Sequence, residues 1–458
     1  MIGESGTPRA RGASTLALVI MLSAALMPSV SAWAQVPAAP PVPAGERWSL
    51  ARAVAAALEG SGDAQAAHAR TVQARGSALG AWQGLLPTVS GNLAYTRNKQ
   101  SSIFFEGGVP VPFVERQRIQ GGGLTAETNL LSVPAWSEKR RQSLLRHGAE
   151  ESEAEARNGV VYAVKQQYFT LVKAERLAEV SRESERLARD EESRAEALFE
   201  VGTVARGDVL KAKARRASTQ LDRIRAVNQV EIQRSKLKQV IGLKPGTALY
   251  VETVLDENVV LPDSATAVST ALASRPELSR AGAAERAARA GLFGARARRL
   301  PQVIGSASYD RTKTRDELEG SSEVEFNSTA WFGQVRLSVP IFDGFALEGG
   351  MKSAKGALLE AESQRRQREL DVAVEVQQAW LSVREAVERI DVAKEGLASA
   401  EEDYSFSKGR YELGAGTILD LLNAEVSLAQ AKQSYVEALA DAHVAEAAME
   451  RAVGSRRY

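Results

Sequence analysis

The side chains most often used for catalysis or metal binding are scarce in this chain. It has 458 residues but no cysteine, which excludes disulfides, thiolate metal sites, cysteine nucleophiles and a lipid anchor attached through cysteine. Its three histidines, His68, His147 and His443, fall on helical stretches without partners at metal-ligand spacing. The glycine run at 121–123 has no Lys-Ser/Thr after it, so it is not a phosphate-binding loop. We expect no catalytic site, no metal and no cofactor, and we predict that the chain is not an enzyme.

Carboxylates are plentiful, but they occur mostly as charges on helical stretches and form no isolated pair typical of acid–base catalysis. Lys and Arg total 58 against 57 Asp and Glu, so the formal net charge is +1 and favours no nucleic-acid partner. Asp208 and Asp420 differ from the rest because each lies just inside a predicted helix that follows a turn. A carboxylate there favours the positive end of the helix dipole, which is a sufficient structural role.

The first half of the sequence recurs in the second half at nearly constant spacing. Residues 199–202 (Phe-Glu-Val-Gly) match residues 411–414 (Tyr-Glu-Leu-Gly) at an offset of 212 residues. The other matched pairs are 85–87 with 299–301, 132–134 with 338–340, 166–169 with 378–381, and 208–212 with 420–424. We therefore predict a tandem duplication: a first repeat at 48–243, a connector at 244–268, a second repeat at 269–454 and a tail at 455–458.

The N-terminus is typical of export. Arg9 and Arg11 precede an apolar stretch at 16–30, and the small residues Ala32 and Ala34 follow it. A membrane anchor is the alternative, but a bilayer requires about 20 apolar residues, more than this stretch provides. We predict a cleaved signal peptide at 1–34 and a linker at 35–47. No other apolar run approaches the length of a transmembrane helix.

Each repeat ends in a predicted helical hairpin of unusual length. Helices of this size reach on the order of 90 Å at 1.5 Å per residue. In the first repeat Glu185 and Glu192 interrupt the apolar pattern, and the sequence offers no reason for them. In the second repeat the pattern of a left-handed coiled coil, one apolar residue every seven, is nearly complete. Its members are Val376, Val383, Ile390, Leu397, Tyr404 and Tyr411, and on the return helix Leu421, Leu428, Tyr435 and Ala442.

Four segments resemble strands: 88–97 and 124–133 in one hairpin (88–133), and 302–313 and 331–339 in another (302–339). Pro87 and Pro301 precede the hairpins, and Pro134 and Pro340 follow them, so each proline is a predicted helix–strand junction. Residues 103–112 are predicted to be a loop. Alternation over about ten residues suits a transmembrane β-strand. A soluble hairpin with one buried face is the alternative. If the strands lie in a membrane, four of them cannot close a barrel, so several chains must combine their strands: two chains supply eight and three supply twelve.

The order of these motifs resembles the TolC-like outer-membrane efflux proteins (outer membrane factors) over residues 48–454. The resemblance is carried by the duplicated Leu-Leu-Pro and Arg-Leu-Pro strand entries, the Asn-Leu-Leu-Ser-Val-Pro and Ser-Val-Pro-Ile-Phe-Asp-Gly strand exits, and the two glycine-containing turns. It implies an α+β membrane protein in which a homotrimer forms a twelve-stranded β-barrel, continued by an α-helical barrel in the periplasm. The connector would then lie at the equator of the helical barrel.

The same resemblance implies a passive exit duct of a tripartite efflux or type I secretion system in a Gram-negative outer membrane. The implied partners are outer-membrane lipid, a periplasmic adaptor (membrane fusion) protein and an inner-membrane transporter of the RND or ABC type. The cargo is open: drugs, metal ions and secreted proteins all fit. A periplasmic adaptor and a coiled-coil scaffold of the envelope remain as alternatives. An adaptor usually has one helical hairpin, and a scaffold requires no barrel-length strands.

Site residues also follow from the resemblance. The two turns are the implied adaptor contacts, and a tyrosine and two aspartates near them are the implied constriction of the pore. Two departures, Gly416 and Asn423, replace an arginine and a second aspartate of some members, so the polar latch of those members is incomplete here. The implied contacts are Val201, Gly202, Thr203, Leu413, Gly414 and Ala415, and the implied constriction residues are Asp420, Asp208 and Tyr411.

Overall fold

The computed structural model describes residues 47–107, 109–318 and 322–454. The predicted signal peptide, all but the last residue of the linker and the tail at 455–458 lie outside them. In chain order the elements are β1 (Arg47–Trp48), α1 (Leu50–Gly60), α2 (Gly62–Gly80), β2 (Thr88–Glu106), β3 (Val109–Leu131), α3 (Val133–Glu200), α4 (Arg206–Ile241), β4 (Tyr250–Val251), α5 (Ser264–Ser274), α6 (Pro276–Ala297), β5 (Gln302–Leu318), β6 (Val324–Ser338), α7 (Ala346–Glu412) and α8 (Ile418–Val453). The sequence α1–α2–β2–β3–α3–α4 thus recurs as α5–α6–β5–β6–α7–α8, which confirms the predicted duplicated unit.

The four long strands form one antiparallel sheet in the order β2-β3-β5-β6. Side chains alternate between its faces, and the two faces differ in composition. One, here called the apolar face, carries Val89, Leu93, Leu124, Val303, Ala307, Tyr309, Trp331, Val335 and Leu337. The other, the polar face, carries Ser90, Asn92, Thr125, Ser306, Ser308, Gln334 and Arg336. Among the described residues of one chain, no strand pairs with the outer edge of β2 or of β6.

The strands are longer than predicted, and the predicted loop at 103–112 is wrong. β2 continues to Glu106 and β3 begins at Val109, so most of that segment is paired. Pro110 and Pro112 are tolerated because β5 pairs with β3 only from Glu115 onward. This stretch of β3 is therefore an edge of the described sheet, where proline is tolerated although it lacks an N–H.

The four junction prolines lie where helices and strands meet. Pro87 and Pro301 directly precede β2 and β5, and Pro134 stands in the first turn of α3. The missing N–H of Pro134 has no cost there, because the first helical residues have no intrahelical acceptor. Pro340 lies in the short segment between β6 and α7.

The first helical hairpin explains its unexpected glutamates. Glu185 is buried on α3 and its carboxylate lies 2.5 Å from Arg223 of α4 and 3.0 Å from Arg189. Glu192, two helical turns further along α3, pairs with Arg216 of α4 in the same way. Buried carboxylates are retained where a cation neutralises them. The contact between α3 and α4 is therefore partly ionic, whereas Val376, Val383 and Ile390 keep the seam of α7 apolar.

The connector is held against both long helices by a pair of equivalent aromatic residues. The Tyr168 hydroxyl of α3 donates to the carbonyl oxygens of Trp48 (3.0 Å) and Glu252 (3.1 Å). The indole N–H of Trp380, at the matching position of α7, donates to the carbonyl oxygen of Pro262 at 2.9 Å. The duplication thus places one anchoring aromatic residue on each long helix, and each fixes one end of the same connector segment.

We predict that Tyr168→Phe lowers the free energy of unfolding by roughly 1–3 kcal/mol, because the carbonyl groups of Trp48 and Glu252 lose the hydroxyl donor that they share. Thermal or urea unfolding followed by circular dichroism measures the change. Tyr250→Phe is the matched control, since Tyr250 is half-exposed and its ring contact with Arg234 does not involve the hydroxyl. Equal stabilities of the two variants would contradict the role of Tyr168.

Candidate functional site

The turn between α3 and α4 is closed by backbone hydrogen bonds around one glycine. Gly202 has φ +78°, a left-handed conformation that glycine adopts without strain, and its N–H donates to the Phe199 carbonyl at 2.9 Å. Thr203 donates to the Leu198 carbonyl through both its N–H (2.9 Å) and its hydroxyl (2.8 Å). Val201 is 71% exposed at this turn.

The turn between α7 and α8 repeats this design. Gly414 has φ +71° and donates its N–H to the Tyr411 carbonyl at 3.0 Å, while Ala415 donates to the Arg410 carbonyl at 2.8 Å. The Arg410 guanidinium in turn donates to the Ala415 carbonyl at 3.0 Å. Leu413 is 85% exposed. Each turn therefore exposes an apolar side chain on a backbone that is closed by hydrogen bonds, as a docking surface requires.

An apolar cluster, here called the tip core, joins the two turns. It lies at the end of the helices farthest along the chain from the sheet and draws on α3, α4, α7 and α8. Its members are Ala195, Val209, Ala212, Tyr404, Tyr411, Ile418, Leu421 and Leu422. The two turns therefore lie beside one another, although they are 212 residues apart in sequence.

Asp420 is occupied as a helix cap. Its carboxylate accepts from the Thr417 N–H at 3.2 Å, and its own N–H donates to the Thr417 hydroxyl at 3.2 Å, which completes a capping box at the start of α8. The hydrogen bonds from Thr417 lower the pKa of Asp420, and the positive charge of Arg410 adds to this effect. Asp420 therefore stays ionised and exposed at the second turn.

Asp208 occupies the equivalent place on α4 with a different partner. Its carboxylate accepts from the Lys211 ammonium at 3.1 Å, one turn along the same helix, and it makes no capping hydrogen bond. Burial raises the pKa of the Tyr411 phenol, and the negative charges of Glu191 and the nearby Asp208 add to this effect. The structure of one chain thus brings Asp208 and Tyr411 together and leaves Asp420 on the outside of the second turn.

A group of buried polar residues above the tip core was not found from the sequence. Within the described part of the chain, neither carboxylate oxygen of Glu425 (α8), the Tyr411 hydroxyl nor the Tyr404 hydroxyl has a hydrogen-bond partner. Glu425 is only 2% exposed, and the guanidinium of Arg215 (α4) is 3.8 Å away. Glu191 of α3 is also buried nearby. Four helices thus meet around unsatisfied polar atoms, an arrangement that costs stability and suits a region that must rearrange.

Burial sets the protonation of this group. It raises the pKa of Glu425 to about 7; Arg215 opposes this shift and Glu191 adds to it. Burial likewise raises the pKa of Glu191. Glu425 could not be recognised from the sequence pattern. It falls between Leu421 and Leu428 of the heptad, but it shares a second face of α8 with Ile418 and Leu422. That face packs between the two repeats, which periodicity within one hairpin does not reveal.

One ionic contact links the two hairpins at this level. The Arg194 guanidinium of α3 lies 3.4 Å from Glu191 on its own helix and 3.0 Å from Glu412 at the end of α7. Gly416 takes part in the second turn only through its backbone, whose N–H donates to the Arg410 carbonyl at 3.1 Å. Asn423 is exposed. Arg194 therefore supplies one of the polar ties between the hairpins within a single chain.

Among the described residues, no three His, Cys, Asp or Glu side chains converge to form a metal site. His443 is used structurally: its ring stacks on Phe169 with a centroid distance of 4.7 Å, and Nε2 lies 2.9 Å from the Asp256 carbonyl oxygen. Within the same residues, no helix is both long and apolar enough to cross a membrane.

The fold is that of solved outer-membrane channels. The chain aligns with the structure of the outer-membrane channel OprN with a TM-score of 0.74, covering 88% of this chain and 89% of that one at 21% identity. The protein belongs to the outer membrane efflux protein family, whose model matches residues 53–243 and 267–455. Both the predicted family and the predicted location in the outer membrane, with an extension into the periplasm, are confirmed.

Curated relatives are similar over shorter segments. Protein CyaE of Bordetella pertussis is 25% identical over 271 residues, which cover 59% of this chain and 56% of CyaE. Outer membrane protein TolC of Escherichia coli is 25% identical over 254 residues, which cover 52% of this chain and 50% of TolC. The chain thus spans about half the length of the curated relatives it matches. The family consists of channels rather than enzymes, and this membership favours a duct over an adaptor or scaffold.

Glu425 predicts a pH dependence of the tip. Because the packed tip holds the Glu425 proton more tightly than an opened tip, the contribution of Glu425 to the stability of the tip is greatest below about pH 4.5 and is lost as the pH rises through 7. Glu425→Gln removes this decline and raises the free energy of local opening at pH 8 by roughly 3 kcal/mol.

Hydrogen exchange of the first turns of α8, corrected for the intrinsic pH dependence of exchange, measures this opening at pH 5 and pH 8. Glu437→Gln, an exposed substitution on the same helix, is the control and should leave the decline intact. A wild-type tip whose protection does not fall between the two pH values would show that Glu425 does not titrate in this way.

Proposed function

We propose that this chain is the subunit of a homotrimeric exit duct in the outer membrane, serving a tripartite efflux or type I secretion system. The duct is a passive channel that partner proteins open. The observation that carries the proposal is the combination of an amphipathic four-stranded sheet with two unpaired edges and two helical hairpins that begin where the sheet ends. Membership of the outer membrane efflux protein family supports the same function.

The architecture of the sheet supports the proposal that three chains associate. Its apolar face suits lipid and its polar face suits a water-filled lumen, as in transmembrane barrels. An open edge in hydrocarbon leaves backbone N–H and C=O groups unsatisfied, so β2 and β6 require partners from other chains. Two chains supply eight strands and three supply twelve; the family resemblance favours three. The polar face then lines a pore, and the helical hairpins continue it as an α-helical barrel.

The length of the helices supports the proposal that the hairpins extend into the periplasm. α3 has 68 residues and α7 has 67, so each extends about 100 Å from the sheet at 1.5 Å per residue. The two turns then lie deep in the periplasm, where an adaptor joined to an inner-membrane transporter of the RND or ABC type can reach them. Exposed Val201 and Leu413, each beside its left-handed glycine, offer the adaptor two similar apolar contacts.

We propose that the constriction of the pore lies near the tip core. In a trimer, three copies of ionised Asp420 line the aperture and favour cations, while Asp208 and Tyr411 lie just inside it. Because the Asp420 carboxylate is already held by Thr417, its position is fixed rather than mobile. The tip core and the Arg194–Glu412 pair hold the two hairpins of each protomer in the closed state.

The proposal is tested by recording the conductance of the purified mature protein in planar bilayers of phosphatidylcholine. We expect discrete steps of conductance that prefer cations, because each trimer, with its barrel complete, forms one water-filled pore. Protein that remains water-soluble without detergent and produces no steps would refute the duct.

Asp420→Asn removes the charge but keeps an acceptor for the Thr417 N–H, so it tests the ring without removing the cap. We expect the preference for K⁺ over Cl⁻, measured from the reversal potential in a salt gradient, to fall at least about twofold as fixed negative charge leaves the aperture. Asp263→Asn is the matched control, because Asp263 also caps a helix, α5, but lies outside the tip. An unchanged reversal potential in Asp420→Asn would remove Asp420 from the constriction.

A further inference from the structure

A dense group of Lys and Arg lies on the apolar face of the sheet, directly beyond its aromatic residues. Tyr309 and Trp331 are cross-strand partners on that face, and Arg311 follows Tyr309 by two residues. Side chains two residues apart share a face, so the register assigns the basic residues to the same side as Tyr309. Seven of the described residues form this group, here called the basic band: Arg97, Lys99, Arg116, Arg118, Arg311, Lys313 and Arg315.

Like charges oppose one another across the strands of this band. Arg97 of β2 pairs in register with Arg118 of β3, which pairs with Arg315 of β5. Lys99 pairs with Arg116 in the next row. Like charges directly opposite one another destabilise a sheet. An arrangement of this kind is favourable only where anions neutralise it.

Among the described residues, three carboxylates lie beside the basic band. Glu317 lies 3.3 Å from Arg116 and 3.7 Å from Arg118. Glu325 lies 2.5 Å from Lys313 and 3.0 Å from Arg315, and Glu323 lies 3.7 Å from Arg315. Seven bases against these three carboxylates leave a surplus of four positive charges per chain, counted among the described residues. Closure of a barrel does not change this surplus, because every protomer contributes the same groups.

The polar face of the same rows has the opposite charge. It carries Asp310 and Asp316, and none of its described side chains across β2, β3, β5 and β6 in these rows is Lys or Arg. In these rows the described Lys and Arg side chains are therefore confined to one face. A basic face that merely kept the strands soluble would have no reason to exclude bases from the other side.

We propose that the basic band binds the phosphate groups of the anionic glycolipid in the outer leaflet of the outer membrane. This inference rests on the proposed function, since it requires the apolar face to contact lipid. Aromatic residues of membrane barrels lie at the interface with the headgroups. Arg311 lies about 7 Å beyond the Tyr309–Trp331 row, and Lys313 and Arg315 follow at similar steps. The band thus begins at headgroup depth.

The chemistry of the band suits phosphate. Five of its seven members are arginines, whose planar guanidinium groups bind phosphate oxygens through two parallel hydrogen bonds. The band is continuous with the apolar face, so a lipid can place its acyl chains on Val335 and Leu337 and its phosphates on the band. A soluble anion lacks the first of these contacts, which favours the lipid as the occupant.

Native mass spectrometry of the full-length protein in a neutral detergent tests the proposal with two probes: lipid A carrying both phosphates and the same lipid without phosphate. We expect the wild type to bind the phosphorylated lipid at least about tenfold more tightly. The triple variant Arg118→Gln, Arg311→Gln, Arg315→Gln should lose this preference. Lysine at the same three positions keeps the charge and should retain most of it.

A triple control, Arg182→Gln, Arg225→Gln, Arg384→Gln, removes three exposed arginines from the helices and should bind as the wild type does. The proposal is overturned if the wild type shows no preference for phosphate, or if the glutamine variant of the band keeps the wild-type preference. The wild-type comparison decides the matter even if that variant does not fold.

Conductance in phosphatidylcholine bilayers separates this inference from the proposed function. Wild-type channels without a phosphate preference would refute only the lipid site. Wild-type protein that forms no channels would refute the duct itself, whatever its lipid binding. Glutamine variants of the band that fold should conduct normally, because their side chains face away from the lumen.

Discussion

The rest of the structure depends on the pairing of two strand edges that a single chain leaves open. The backbone groups on the outer edges of β2 and β6 cannot remain unpaired in hydrocarbon, so the chain is incomplete as a membrane protein on its own. Duplication supplies two hairpins per chain, and in the proposed trimer the other chains supply the missing strand partners. In that trimer each strand pair continues into a helical hairpin that packs beside its neighbours around one axis.

Within a chain, the two repeats are joined by ionic contacts as well as by the apolar tip core. Lys173 of α3 lies 2.9 Å from Asp441 of α8, and Lys432 of α8 lies 3.0 Å from Glu183 of α3. Isolated exposed pairs of this kind contribute little each, about 1 kcal/mol or less. The unsatisfied polar atoms around Glu425 lie at the same junction between the hairpins, and they lower the cost of separating the hairpins there.

Much of the fold was predictable from the sequence, because the repeat and the heptad pattern are both local signals. Val376, Val383 and Ile390 are buried as their spacing predicts. The outer part of β2 was missed because both of its faces are polar there, with Asn98 on one face and Lys99 on the other, so no apolar alternation distinguishes it from a loop. The positions of Asp208, Asp420 and Tyr411 near the turns followed from the duplication, and their roles in a pore remain predictions. Glu191, Arg215 and Glu425 could not be found, since their burial depends on contacts between repeats.

In the proposed duct, three chains close one barrel. Native mass spectrometry of the detergent-extracted mature protein counts the chains most directly. We expect a three-chain species that persists in mild detergent and dissociates to single chains only on heating. The reason is that, in the proposed barrel, the edges of β2 and β6 are paired between protomers. A protein that is monomeric in detergent, or that assembles with a different number of chains, would contradict it.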